Sequence, residues 1–290
     1  MIVVRLKGGL GNQLFQYAIS FTLSQRLGMD FFADTSFFGD DHQRSYKLGK
    51  LKVAIKESSA NMIPSLHVIY KSKYFNKVLR LLRIRKLPMR NWVYFLEESY
   101  ATTSEDIFML NAKNIYIDGY FQSPLYFSDY REQLLEHIQP TYLPNSEYLY
   151  MLDKIQTTES VAVHVRRGDF IKSGKFDIYH YVLDEEYYYN AIKVIKNHVE
   201  RPMFFWFSDD IKWVKEKFRS KDNFVFVNLK SEHSDIDELM LMKACKHVIT
   251  ANSTFSWWGA WLNENEESIK IVPEQQYGNP DMIPNEWIKI

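Results

Sequence analysis

The stretch VAVHVRRGDF, residues 161–170, decides how the chain is expected to fold. Its three valines alternate with smaller or polar residues, which is typical of a β-strand with one buried face. Arg166 and Arg167 follow where the strand leaves the core, and ligands of parallel sheets bind beyond the carboxyl ends of the strands. Guanidinium groups match phosphate and carboxylate oxygens, so the pair predicts a local anion site. The alternative interpretation is a surface ion pair between an arginine and Asp169. The two interpretations are compatible if Asp169 orients one arginine while the other faces the ligand.

Strands and helices alternate regularly from this stretch to the end of the chain. We expect strands at 160–166, 203–207, 224–227, 247–251 and 269–272, and helices at about 184–199, 210–219, 235–246 and from Phe255 onward. The chain also opens with an expected strand at 2–6, a helix at 13–27 that Gly28 ends, and a strand at 31–34. This alternation predicts parallel sheets covered by helices on both faces, an α/β fold with Rossmann-like domains.

The length of 290 residues suits two domains rather than one core. After an expected strand at 114–117 and helix at 124–137, Pro140, Pro144 and the polar pair at 145–146 are the best linker signal. We therefore predict one domain at 1–150 and a second at 151–290.

Charge and composition exclude several classes of protein. Lys plus Arg and Asp plus Glu both number 36, so no overall field attracts nucleic acid, and any anion site is local. The single Cys245 excludes an intrachain disulfide. No apolar run reaches the roughly 18 residues of a membrane span, and a strand at the first residues leaves no room for a signal peptide. We therefore expect a soluble, cytoplasmic protein.

A second strand end carries hydroxyl and amide side chains. The stretch ITANSTFSWWGAWL (249–262) passes from strand to helix through Asn252, Ser253 and Thr254. Such residues are ordinary helix N-caps, and the start of a helix is also an anion site because free N–H groups converge there. Both interpretations stay open.

A third strand end carries acids. FFWFSDD (204–210) places Asp209 and Asp210 after Ser208, where a carboxylate accepts from guanine N–H groups, caps the next helix or binds a divalent cation. The acids of SDIDE (234–238) fit a helix N-terminus. Because two arginines can neutralise a diphosphate, we predict no metal.

The loop GGLGNQ (8–13), with Asp34 further on, resembles a dinucleotide-binding fingerprint but has Leu14 in place of the third glycine. The glycines more plausibly permit close backbone approach, and we expect Asn12 and Gln13 to reach into an interdomain cleft.

With these residues identified, the chain resembles the α-1,2-fucosyltransferases of glycosyltransferase family 11. Three motifs stand in the family's order: GGLGNQLFQ (8–16), HVRRGD (164–169) and NSTFSWWGA (252–260). The resemblance implies a GT-B-type fold of two facing Rossmann-like domains, GDP-L-fucose as donor, a terminal galactose as the usual acceptor, and inversion at the anomeric carbon. It also implies that the enzyme uses no metal and no other cofactor.

The resemblance assigns domain 151–290 to the nucleotide sugar, with Arg167 on the diphosphate and Asp209 or Asp210 on guanine, and domain 1–150 to the acceptor. The expected donor-binding residues are His164, Arg166, Arg167, Ser208, Asp209, Asp210, Asn252, Ser253, Thr254, Phe255 and Ser256. The expected acceptor-side residues are Asn12, Gln13, Tyr120 and Gln122. Transfer also needs a base for the acceptor hydroxyl, and Asp169, Asp177 and His180 are candidates among which the sequence does not choose. Arg167, Asp169 and His180 are thus the expected catalytic residues.

Two other classes of function stay open at this point. One is a nucleotide-sugar or glycan-binding module without turnover, and the other is a nicotinamide-dependent oxidoreductase that uses the loop at 8–13.

Residues 58–96 contain no acid, whereas eight lysines and arginines lie at 71–90. Apolar residues interleave with these cations near 76–87, which predicts a basic amphipathic helix. Either it makes a weak contact with an anionic membrane at the inner face, where a lipid-linked glycan is the acceptor, or it packs its apolar face on the N-terminal domain.

Overall fold

The computed structural model describes residues 1–40, 44–59, 73–82, 84, 86–89, 91–97, 103–167, 182–218, 223–274 and 279–290. The chain forms two compact units. The first comprises Met1–Gln139 and Asn279–Ile283, and the second comprises Pro140–Gly278 and Pro284–Ile290. Among the described residues, no helix has the length and apolar character needed to cross a bilayer.

The first unit contains a sheet that is parallel except at one edge. Its strands are β1 (Ile2–Arg5), β2 (Phe31–Asp34), β3 (Lys56–Glu57), β4 (Lys86–Met89), β5 (Trp92–Leu96) and β6 (Asn114–Asp118), and its helices are α1 (Leu10–Leu27), α2 (Phe37–Asp40), α3 (Lys73–Leu81) and α4 (Arg131–His137). The strand order is β3-β2-β1-β6-β5-β4, and β4 runs antiparallel to β5. The expected helix at 124–137 instead begins with two 3-10 turns, Pro124–Tyr126 and Ser128–Tyr130.

The second unit contains a parallel sheet. Its strands are β7 (Ser160–Val165), β8 (Met203–Ser208), β9 (Phe224–Phe226), β10 (His247–Ile249), β11 (Lys270–Val272) and β12 (Ile288–Lys289), and its helices are α5 (Ser146–Gln156), α6 (Glu185–His198), α7 (Ile211–Phe218), α8 (Ser234–Ala244) and α9 (Thr254–Trp261). The strand order is β12-β11-β10-β7-β8-β9. The predicted α/β class with Rossmann-like sheets is confirmed.

The domain boundary predicted at residue 150 is misplaced. It falls inside α5, which belongs to the second unit, whereas the chain divides between Gln139 and Pro140. The polar residue Asn145, assigned to the linker, is the N-cap of α5 and accepts a hydrogen bond from the backbone N–H of Tyr148 at 2.8 Å. A capping residue and a linker residue are of the same polar type, which explains the error.

The core of the second unit fits its aromatic sequence. Every residue of β7 is buried, and Trp257 and Trp258 of α9 are fully buried, so these tryptophans are core residues. A Cβ on Gly259 would lie 3.0 Å from the Cβ of Met242, so this glycine permits the close approach of α9 to α8.

The predicted basic helix is shorter and lies earlier than expected. It is α3, and the following residues of β4 form the edge strand that pairs with β5. Pro88 lies in this edge strand, where the N–H that proline lacks is not needed by a further strand.

Candidate functional site

The two arginines after β7 are held by two acids after β8. Arg166 Nη1 lies 3.0 Å from Asp209 Oδ2, and the backbone N–H of Arg167 donates to Asp209 Oδ1 at 2.9 Å. Arg167 Nε lies 3.5 Å from Asp210 Oδ2. The strands are parallel neighbours, with Val165 opposite Ser208, so their carboxyl ends meet at one edge. The guanidinium pair is therefore fixed before any ligand binds.

Trp213, in the first turn of α7, completes the support of Arg167. The guanidinium carbon of Arg167 lies 3.6 Å from the centre of the Trp213 ring, which is a close cation–π contact. The sequence analysis missed this residue. The sequence could have indicated Trp213, because this residue lies three residues after Asp210, on the first turn of the helix that follows the strand.

The turn at 208–210 also starts α7. Asp210 Oδ1 accepts from the backbone N–H of Trp213 at 3.3 Å, and Ser208 Oγ accepts from the N–H of Asp210 at 3.0 Å. The capping interpretation is confirmed. Because both carboxylates contact arginines, the guanine-reading role of Asp209 or Asp210 stays a prediction.

His164 lies behind this edge rather than on it. Its side chain is buried on β7, and its ring centre lies 5.5 Å from that of Phe255. Burial, with a further contribution from the charge of Arg166, lowers the pKa of His164 to about 3. The imidazole is therefore neutral at ordinary pH, and its expected role in donor binding stays a prediction.

The start of α9 lies at the same edge, because β10 pairs with β7 on the side opposite β8. Ser253 caps the helix, with its Oγ accepting from the N–H of Phe255 at 3.3 Å. Ser256 is buried and accepts from the N–H of Ala251 at 3.1 Å, so it holds the turn and does not face a ligand as expected. Asn252 is also buried, whereas Ser253, Thr254 and Phe255 are partly exposed. The anion-binding role of this turn stays a prediction.

Glu238 on α8, which the sequence analysis assigned only to a helix start, has an unusual environment. Burial raises the pKa of Glu238 to about 8, with Asp235, Asp209 and Asp237 adding negative charge nearby. Its carboxyl group is thus protonated at neutral pH. Asp235 behaves as a helix-start residue, accepting from the N–H of Ile236 at 3.1 Å, and Asp237 accepts from Tyr142 Oη at 2.7 Å. Within the described part of the chain, no group of three or more His, Cys, Asp or Glu residues is placed to hold a metal ion.

The glycine loop of the first unit is built around Asn12. Gly8 has φ of +80°, and a Cβ there would lie 2.6 Å from Asn12 Nδ2. Asn12 Oδ1 accepts from Gln122 Nε2 at 2.9 Å, and both residues are partly exposed. The structure therefore brings together two of the expected acceptor-side residues.

Gln13 does not reach out of the first unit as expected. It is fully buried, its Nε2 donates to the carbonyls of Gly8 at 3.0 Å and Ser45 at 2.9 Å, and its Oε1 accepts from the N–H of Lys47 at 2.9 Å. These bonds hold two loops together. At the start of a helix, the local sequence does not indicate whether an amide side chain such as that of Gln13 points into the core or towards solvent.

A charged cluster at the ends of β1 and β6 was also missed. Lys7 Nζ lies 2.5 Å from Asp118 Oδ1 and 4.8 Å from the ring centre of Tyr120, and Arg5 Nη1 lies 3.1 Å from Asp118 Oδ2. Burial by itself would raise the pKa of Asp118, but Lys7 and Arg5 outweigh it and lower that pKa. The ionised carboxylate fixes Lys7 beside Tyr120.

Asp169, Asp177 and His180 lie outside the described residues.

The family model for glycosyl transferase family 11 matches residues 1–290. The chain belongs to this family. It is 30% identical over 308 residues to the O-antigen biosynthesis glycosyltransferase WbnK of Escherichia coli, covering 98% of this chain and 99% of that protein. It is 31% identical over 304 residues to an Escherichia coli α-1,2-colitosyltransferase, covering 100% of this chain and 99% of that protein.

The fold resembles that of the fucosyltransferase NodZ from Bradyrhizobium, with a TM-score of 0.54 and 16% identity, covering 89% of this chain and 92% of NodZ. Another crystal structure, of the α-1,6-fucosyltransferase NodZ, was obtained from crystals soaked with GDP-fucose. The GT-B-type fold class of this glycosyltransferase is thus confirmed.

Proposed function

We propose that the protein transfers L-fucose from GDP-β-L-fucose to the 2-hydroxyl of a terminal galactose of a glycan, with inversion, to form an α-1,2 linkage. The observation that carries the proposal is the pair Arg166 and Arg167, each held against an acid of the neighbouring strand. The membership of glycosyltransferase family 11 and the GDP-fucose bound by NodZ support it.

Arg167 is the group that we place on the diphosphate. As the bond between the sugar and GDP breaks, negative charge develops on the leaving diphosphate. A guanidinium held by Asp210 and Trp213 stabilises this charge without having to reorganise, so it lowers the barrier more than it strengthens substrate binding. The N–H groups and hydroxyls at 253–254 are proposed to bind the same diphosphate from the start of α9.

With this charge neutralised by arginines, we propose that transfer requires no metal and no further cofactor. We propose that the base that accepts the proton of the acceptor hydroxyl is one of Asp169, Asp177 and His180, because all three follow the arginine pair closely in sequence. We propose that Asp209 or Asp210 reads guanine in addition to contacting the arginines, because a carboxylate oxygen can accept more than one hydrogen bond.

The identity of the sugar is the sharpest open choice, because one of the relatives transfers colitose. Colitose is fucose without its 3-hydroxyl group. A site that forms a hydrogen bond with that hydroxyl rejects the deoxy sugar strongly, since its buried partner is left unpaired. The proposal that fucose is the donor sugar thus predicts a higher kcat/KM with GDP-fucose than with GDP-colitose.

We propose that the acceptor is a glycan of the O-antigen type, built on a lipid carrier in the cytoplasm. WbnK, whose name assigns it to O-antigen biosynthesis, matches this chain over almost the full length of both proteins. Asn12, Tyr120 and Gln122 are the residues proposed to face the acceptor, and the Asn12–Gln122 hydrogen bond supports their shared role.

The deciding experiment measures transfer by mass spectrometry, with GDP-fucose or GDP-colitose and a panel of galactosides. A product heavier by one fucosyl residue, with the linkage on the galactose 2-hydroxyl, supports the proposal. Thermal shifts with GDP, GDP-fucose and NAD provide the control, because a ligand stabilises the state that binds it. Stabilisation by GDP-fucose without any product would instead indicate a binding module, and stabilisation by NAD alone an oxidoreductase.

A further inference from the structure

Helix α3 packs on the first unit through Leu79. Leu79 is buried in a cluster with Val3, Leu96 and the rings of Tyr94 and Tyr116. The side of α3 that carries Leu79 therefore packs on the sheet. Some other apolar side chains of α3 do not belong to this cluster.

Several large apolar side chains on and just after α3 are exposed instead. The exposed fractions are 84% for Tyr74, 50% for Val78, 82% for Leu81 and 60% for Leu82. Tyr74, Val78 and Leu81 are spaced by four and three residues, so they lie on the same side of the helix. We call these four side chains the apolar face of α3. A contiguous apolar surface of this kind marks a docking site.

The stretch of sequence that carries this face has charges of one sign. Residues 58–96 contain no acid, and eight lysines and arginines lie at 71–90, although the whole chain has equal numbers of acids and bases. Lys77 is exposed and lies three residues after Tyr74 and four before Leu81, so it borders the apolar face. The segment is thus cationic in sequence, in a chain whose remainder is net acidic.

We propose that the apolar face of α3 docks on the surface of an anionic lipid bilayer. Apolar side chains enter the boundary between headgroups and acyl chains, while the flanking cations meet the negative surface charge. The charge complementarity favours this occupant over an uncharged surface. The helix has nine residues, so the contact is reversible and sensitive to salt.

Docking brings the enzyme to a lipid-linked acceptor, and this consequence rests on the proposed function, whereas the docking itself does not. Leu79 packs against Tyr94, whose Oη donates to Asp118 Oδ2 at 3.2 Å. Asp118 also holds Lys7, which lies over Tyr120. The docking helix and the proposed acceptor-side residues thus belong to one packed unit.

The test measures co-sedimentation with vesicles in the absence of any sugar donor. Wild type is expected to sediment with vesicles of phosphatidylglycerol and phosphatidylcholine at low salt, and not with pure phosphatidylcholine. Binding should fall as the Debye length shortens from about 30 Å at 0.01 M salt to about 8 Å at 0.15 M.

Matched variants separate charge from apolar contact. Lys77→Glu should lower the partition coefficient by about 30-fold, because reversal changes the charge by two and each charge contributes about 1 kcal/mol. Lys196→Glu, at an exposed position of α6 in the second unit, should leave it unchanged. The double variant Leu81→Ser/Leu82→Ser should also lose binding, whereas Leu143→Ser/Tyr150→Ser, at exposed sites in the second unit, should not. Circular dichroism checks that each variant is folded.

The proposal is overturned if wild type ignores anionic vesicles at low salt, or if the two control variants lose as much binding as the α3 variants. Self-association of wild type that Leu81→Ser/Leu82→Ser abolishes, without vesicle binding, would overturn it in favour of a second copy of the chain. The α3 variants should still transfer sugar to a water-soluble acceptor. An inactive wild type that nevertheless binds vesicles would therefore count against the proposed function alone.

Discussion

Arg167 lies with its guanidinium carbon 3.6 Å from the centre of the Trp213 ring, and the same guanidinium contacts Asp210 through its Nε. Asp210 in turn accepts from the backbone N–H of Trp213. Ring, carboxylate and helix start therefore form one support, which restricts where the cation points. We expect substitutions to separate the effect of the Trp213 ring on transfer from that of the Arg167 guanidinium.

Arg167→Ala is expected to lower kcat/KM by about 10²–10³-fold or more, because it removes donors that act on charge developing in the transition state. Arg167→Lys should restore little, since a single ammonium group does not reproduce the guanidinium fork. Steady-state assays with GDP-fucose measure both. Arg26→Ala is the control, because this arginine forms an exposed ion pair with Asp129 in the first unit. A folded Arg167→Ala enzyme with unchanged kcat would contradict the assignment.

Trp213→Ala should lower kcat/KM by about tenfold, the loss expected for one cation–π contact. Trp213→Phe keeps an aromatic face under Arg167 and should retain most of the activity. The ring also packs near Phe218, so the melting temperature of each variant is measured alongside the kinetics. If the two variants lose equal activity while both stay folded, Trp213 acts through packing and not through Arg167.

Transfer should persist in excess EDTA, because guanidinium groups rather than a divalent cation are proposed to meet the diphosphate. The control repeats the assay with Mg²⁺ or Mn²⁺ added back. Activity that collapses on chelation and returns with the metal would require Asp209, Asp210 or the acids at 235–237 to be reconsidered as ligands.

Glu238→Gln should change how stability depends on pH. The folded protein holds the pKa of Glu238 near 8, above its ordinary value of 4.5, so between these values the native state binds more protons than the unfolded state. Wild-type stability conferred by this group is therefore complete below pH 4.5 and is lost as pH rises through 8. Gln does not titrate, so the free energy of unfolding of the variant should exceed that of wild type by a margin that grows from pH 5 to pH 8. Urea unfolding at several pH values measures this, and a constant difference would show that Glu238 is not shifted.

The positions of the site were predictable, but its internal contacts were not. Alternating residues marked the ends of β7, β8 and β10, and the basic and polar residues that follow them do lie at one edge. The predicted pairing of an arginine with Asp169 lies outside the described residues and stays a prediction, whereas the contacts of Asp209 and Asp210 with the two arginines were not predicted. These contacts depend on the register that sets Val165 opposite Ser208, and no local pattern carries the register of two strands 40 residues apart.

Burial explains the other misses. Gln13 and Ser256 are polar residues in motifs and were expected to face ligands, but both satisfy backbone groups in the interior. Glu238 matched a helix-start pattern, and only the packed neighbours reveal that its carboxyl group is held neutral. In each case the chemical type of the residue was recognised but its burial was not, because the residues that bury it come from segments distant in sequence.

The return of Asn279–Ile283 to the first unit has a consequence for biosynthesis. Asp281 supplies the carbonyl that accepts from Ser123 Oγ at 3.1 Å, and Asn279 Nδ2 donates to the carbonyl of Gln122 at 3.4 Å. The loop that carries Gln122 is thus completed by residues that are synthesised after most of the second unit. Domains generally fold in order from the N-terminus during synthesis, but this one is not whole until Pro140–Gly278 of the second unit has been made. A fragment ending at Gln139 should consequently be a poor acceptor-side domain, and supplying 279–283 in trans should repair it.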